Sequence, residues 1–62
     1  MSIEDNHADT LEKYETLKST LTLTDQNVIN MLLDRFDDIY ETALISELQD
    51  ILDEINDVLD YF

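Results

Sequence analysis

Ala43-Leu44-Ile45-Ser46-Glu47-Leu48-Gln49 decides the architecture of this 62-residue chain. Ser46, followed three residues later by Gln49, has the form of a capping box, in which a hydroxyl accepts from the third backbone N–H of a new helix while the Gln side chain reaches back. Ile45, just before it, is placed to staple that helix by an apolar contact. On either side the apolar positions keep helical spacing: Val28, Ile29, Leu32, Leu33, Phe36, Ile39, Tyr40, Ala43 and Leu44 before the box, then Leu48, Ile51, Leu52, Ile55, Val58, Leu59 and Phe62 after it. The chain has no Gly and no Pro, so no stronger breaker competes. With the box in force, helices over roughly 25 to 44 and 47 to 61 fold against each other. Without it, residues 25 to 61 form one helix of about 55 Å, whose apolar stripe needs a second copy of the chain. The unbroken period favours the long helix; Ser46 and the thirty-odd-residue length favour the break.

Working outward, Ser19-Thr20-Leu21-Thr22-Leu23-Thr24 alternates polar and apolar residues and is rich in β-branched threonine, which disfavours helix mildly. It reads as a connection, since a strand here has no second strand to pair with. Thr24 is a good N-cap for the next helix, and Asp25 suits the positive end of its dipole. Before the connection, Leu11, Tyr14, Leu17 and Leu21 follow at steps of three and four, with Glu12, Lys13, Glu15 and Lys18 on the other faces. Asp9 or Thr10 caps this first helix, and residues 1–8 are expected to fray as a flexible N-terminus. The expected fold is all-α: a small antiparallel bundle over residues 9–62, with three helices preferred over a hairpin with a long second helix. Dimerisation is compatible with either.

A chain this short buries only about 60 % of the surface it would expose unfolded, and it needs help from disulfides, metal or self-association. Cysteine is absent and His7 is the single histidine, so no zinc site and no thiolate chemistry is expected. His7 itself reads as a solvated N-terminal residue. A hydrophobic fraction of 44 % argues against disorder. No apolar run suits a membrane span and Met-Ser-Ile-Glu-Asp lacks signal-peptide character, which sets the expectation of a cytoplasmic protein, in a host cell if the source is viral.

Sixteen Asp and Glu oppose Lys13, Lys18 and Arg35, a net charge of −13. Asp34, Asp37, Asp38 and Glu41, then Glu47, Asp50, Asp53, Glu54, Asp57 and Asp60, recur mostly at steps of three and four and line helix faces opposite the apolar stripe. From Phe36 to the end there is no base. Like charges at that spacing cost an isolated helix a few tenths of a kcal/mol per pair. The five charges of residues 50 to 60 occupy about 16 Å of helix, one per roughly 3.3 Å, close to the one per about 3.4 Å of a single DNA strand. Such a field repels nucleic acid and anionic membrane and attracts a basic protein surface. An acidic face that only keeps the chain soluble is the plain alternative.

In charge, size and helical carboxylate ladder the chain resembles the small acidic inhibitors of bacteriophages and mobile elements that mimic DNA. The resemblance implies a non-enzymatic inhibitor that occupies the nucleic-acid-binding surface of a partner protein through those ten carboxylates. Two further readings stay open: an antitoxin, immunity protein or secretion chaperone covering a cationic amphipathic partner, and a structural oligomerisation module.

Catalysis is not expected. Calcium loops need a glycine turn, di-metal bundles need paired Glu-x-x-His motifs where this chain has only Glu4-Asp5-Asn6-His7, and no sizeable cleft is foreseen to raise a carboxylate pKa. No cofactor is expected. Tyr14, Phe36 and Tyr40 read as core. Tyr61 and Phe62 behind Asp57 and Asp60 resemble the acidic, phenylalanine-ended tip of bacterial single-stranded DNA-binding proteins, against the simpler reading of Phe62 as core.

Overall fold

The computed structural model describes residues 2–61. They form three helices, α1 (Ile3–Leu17), α2 (Leu23–Ile39) and α3 (Ile45–Asp60), with a single 3₁₀ turn at Lys18–Thr20 and no strand among the described residues. The chain therefore breaks before α3, and the 55 Å helix does not form. The alternatives weighed for Phe62 lie outside the described residues.

The break falls slightly earlier than the capping box suggested. The Ile39 carbonyl accepts from the N–H groups of Thr42 (3.1 Å) and Ala43 (2.7 Å), which closes α2, and the extended Leu44 starts α3 by accepting from Glu47 and Leu48. Leu44 makes no side-chain cap bond, so Ser46 is not the cap and the Ser46/Gln49 box does not operate. Nor does Ile45 staple the helix, since it is 66 % exposed. The reason is one of magnitude: a cap bond stabilises by about 1 kcal/mol, whereas burying a leucine such as Leu48 contributes about 1.5–3 kcal/mol. Half-burial of Ala43 and full burial of Leu48 decide where the chain reverses.

The other two helix starts also move. Helix α1 begins at Ser2, whose Oγ accepts from the Asp5 N–H, rather than at Asp9 or Thr10. Its inner face runs Ile3, His7, Thr10, Tyr14 and Leu17, and Leu21 continues it beyond the helix. That is an unbroken stripe at steps of four and three. Thr10 takes the place expected for Leu11, which lies at the surface. Two polar members, His7 and Thr10, hide this stripe from a reading based on apolar residues. Helix α2 is capped by Thr22 instead of Thr24: its Oγ1 accepts from the Asp25 N–H (3.1 Å) and donates to the Asp25 carboxylate (3.0 Å). Gln26 closes the connection by donating to the carbonyls of Lys18 and Leu21.

Cross-helix contacts define an up-down-up bundle. Tyr14 Oη donates to Asn30 Oδ1 (3.0 Å) and Tyr40 Oη reaches Glu4 (3.5 Å), so α1 and α2 are antiparallel. Asn56 Nδ2 donates to Thr10 Oγ1 (3.2 Å) and Lys13 pairs with Asp60, so α1 and α3 are parallel. Helix α3 packs against both others and supplies Leu48, Ile51, Leu52, Ile55 and Leu59 to a core completed by Tyr14, Leu21, Ile29 and Phe36. Phe36 is fully buried and stacks on His7, with ring centroids 4.3 Å apart. His7 is thus a half-buried packing residue rather than a solvated one. Thr10 is the buried polar residue, and Asn56, which also donates to the Leu52 carbonyl, satisfies it. Among the described residues no buried side-chain polar atom lacks a partner, as a small core demands. No helix among the described residues is long and apolar enough to cross a membrane.

Candidate functional site: an acidic surface centred on the third helix

Helix α3 divides lengthwise by residue type. Its apolar positions from Leu48 onward face the core, and Asp60, Asp53, Asp57, Asp50, Glu54 and Glu47, in that angular order, fill about 140° of the opposite side at 3.6 residues per turn. All six are exposed. No basic residue lies on α3. Lys13 reaches across from α1 to pair with Asp60, in a contact open to solvent on both sides. The other five carboxylates make no ion pair or side-chain hydrogen bond among the described residues.

The remaining expected site residues, Asp34, Asp37, Asp38 and Glu41, are exposed as well but do not extend the same row. Asp34 and Asp38 share the outward face of α2 with Leu23, Asn27 and Met31. Asp37 leans to the α1 side, where Asn30 meets Tyr14, and Glu41 sits in the turn before α3. The ten carboxylates therefore form a six-residue surface on α3, a group of three on α2 and Glu41 in the turn between them. Outward directions of neighbouring helices in a bundle diverge, and that separates the two groups.

A groove runs between α2 and α3, bordered by acids of α3 alone. Leu32, Arg35 and Ile39 of α2 face Glu47, Asp50, Ile51 and Glu54 of α3 around a volume of about 250 Å³. Arg35, which composition presents only as a charge, lines this groove without closing a salt bridge among the described residues. Its place was hinted at by the spacing Leu32-Arg35-Ile39, one basic residue on an otherwise apolar edge of α2. Lys18, the third base, lies over the Tyr14 ring, 5.6 Å from its centroid. A second depression, about 410 Å³, lies among Asp25, Asp57, Val58 and Tyr61 at the other end of α3.

Chemically the surface can attract and hold cations on a protein or peptide. Among the described residues no group of three or more His, Asp or Glu is close enough to hold a metal ion. The chain matches no protein-family model, no curated protein and no solved structure.

Proposed function

We propose that this chain is a non-enzymatic binding protein whose α3 carboxylates occupy the basic, nucleic-acid-binding surface of a partner protein and so inhibit it by imitating DNA. The observation that carries the proposal is the six-carboxylate face of α3, exposed throughout and, among the described residues, ion-paired only at Asp60. Dimensions support it. The long axis of the molecule is 32 Å, near the ~34 Å of one turn of duplex. Spread along that axis, a net charge of −13 is one negative charge per about 2.5 Å, against one per about 1.7 Å of duplex. Attraction at that density makes association fast and strongly salt-dependent. The partner is thus a basic protein; neither nucleic acid nor an anionic membrane suits this field. The test is displacement of DNA from candidate DNA-binding proteins between about 50 and 300 mM salt, over which phosphate-type contacts weaken steeply. Displacement that fades with salt is the expected outcome; no displacement at the low end refutes mimicry.

A specific observation favours a second reading. Leu23, Met31, Leu44 and Ile45 are each more than 60 % exposed, which suits a protein that also covers an apolar partner surface, as an antitoxin, immunity protein or secretion chaperone does. Binding that survives high salt but is lost on Met31→Ser or Leu44→Ser points to that class.

A further inference from the structure

The groove between α2 and α3 combines an apolar floor with an acidic rim. Leu32, Ile39 and Ile51 provide the floor, and Glu47, Asp50 and Glu54 the rim, with Arg35 as the only base. Three carboxylates against one guanidinium leave two negative charges uncompensated. The volume of about 250 Å³ falls below the ~300–1,000 Å³ of clefts that take drug-sized ligands. It suits a single long side chain. Arginine and lysine lay their aliphatic stems on apolar surface while the charged head stays at the polar edge, which is the chemistry this groove offers.

Resting on the binding reading above, we propose that the groove is the anchor point of the interface and that it takes an arginine side chain presented by the basic partner. Arginine suits it better than lysine. A planar guanidinium offers five donors in fixed directions, enough to engage more than one of the three carboxylates, and is less strongly hydrated than an ammonium. Arg35 already places a guanidinium along this cleft, so the incoming group meets one like charge and three unlike ones. Arg35 thereby moderates affinity, and its removal strengthens binding. Of the remaining α3 acids, Asp60 pairs with Lys13 of α1 and Asp57 borders the depression beside Asp25 of α2; together with Asp53 they lie outside the groove and supply long-range attraction rather than the anchor.

The experiment uses the full chain, isotope-labelled, with an oligo-arginine peptide as probe and oligo-lysine and oligo-citrulline peptides of equal length as controls, in about 20 mM salt to limit screening. The expected result is saturable movement of the Leu32, Ile39 and Ile51 methyl signals with oligo-arginine. The triple exchange Glu47→Gln, Asp50→Asn, Glu54→Gln weakens binding about tenfold, Asp53→Asn with Asp57→Asn weakens it only about twofold, and Arg35→Met tightens it. Circular dichroism confirms that each variant is folded. Binding with unmoved methyl signals and equal losses from both sets overturns the groove while leaving the acidic surface as the binder. Equal methyl shifts with oligo-lysine overturn the choice of arginine. No binding of either cationic peptide overturns the acidic-binding reading itself.

Discussion

Replacing Asp50 and Asp57 by Asn should stabilise the fold, and the helix geometry sets the size of the effect. On α3 the like-charged neighbours three or four residues apart are Glu47–Asp50, Asp50–Asp53, Asp50–Glu54, Asp53–Asp57, Glu54–Asp57 and Asp57–Asp60. Every one of these pairs includes Asp50 or Asp57. At about 0.2–0.5 kcal/mol per pair the double exchange removes roughly 1–3 kcal/mol of repulsion at low ionic strength. Helix propensity does not confound the result, since Asn and Asp rank together. Near the end of α3 the loss of a negative charge also favours the helix dipole, with the same sign. Residual repulsion in the unfolded chain makes the figure an upper one. A domain of this length has a total stability of about 3–9 kcal/mol, so the gain is a large fraction, and it raises the melting temperature by roughly 5 to 20 °C. Thermal unfolding followed by circular dichroism, for wild type and variant, should show the difference at about 10 mM salt and its near-disappearance at 1 M, where the screening length falls to about 3 Å. A gain that is the same at both salts, or absent at 10 mM, refutes the account of repulsion.

The core offers a contrast. Ile55→Ala, at a fully buried position, should cost about 2–5 kcal/mol and leave much of the chain unfolded, seen as a lowered urea midpoint. Thr10→Val removes the acceptor of the Asn56 bond and should cost about 1 kcal/mol; adding Asn56→Leu should recover most of it, and a double-mutant cycle reads the coupling. Leu44→Ser supplies the side-chain cap that α3 lacks and should stabilise by about 0.5–2 kcal/mol at a 68 % exposed site; calorimetry checks this. Asp50→Lys with Asp57→Lys should raise stability through new opposite-charge pairs yet abolish binding to oligo-arginine, measured by fluorescence anisotropy.

Fold class was legible in the sequence because the apolar period continues through α2 and α3 on residues that do enter the core: Ile29, Phe36, Leu48, Ile51, Leu52, Ile55 and Leu59. Helix starts were less legible. Ser2, Thr22 and Leu44 are the caps; Asp9 or Thr10 and Thr24 matched the first two on local chemistry, and Ser46 was better than Leu44, which makes no cap bond. At the first two starts near-equal local signals compete, and at the third the packing of larger side chains outweighs the better local cap. His7 and Thr10 were illegible for another reason. A polar residue on an inner face becomes favourable only when a particular partner meets it, here the Phe36 ring and the Asn56 amide, and neither lies near it in sequence. The carboxylates of α3 could be placed on one face from spacing alone, since a single helix fixes their mutual positions. Their separation from Asp34, Asp37 and Asp38, and the groove that holds Arg35 between them, depend on how two helices meet.

The arrangement bears on whether the acidity serves solubility or recognition. A face that only has to stay hydrated is well served by mixed charges, and lysines at i+4 from the acids would add stability while leaving the chain charged. Exchanging Asp50 and Asp57 for Lys would move the net charge from −13 to about −9, still just above the magnitude of about 2–8 that keeps small domains soluble. Solubility alone therefore does not call for six carboxylates on one helix without a base among them. Lys13 shows that the fold can deliver a cation to this surface, where it pairs with Asp60 at the end, and Arg35 lines the groove beside Glu47, Asp50 and Glu54 without a salt bridge among the described residues. The five acids left without an ion pair among the described residues hold their repulsion in the free protein, and on the proposed reading a basic partner would remove it on binding. Repulsion released in this way adds to the attraction between the two surfaces. The carboxylates that destabilise α3 most, Asp50 and Asp57, are thus the ones whose neutralisation should both raise the melting temperature and weaken the complex. A face kept only for solubility has no reason to link the two effects.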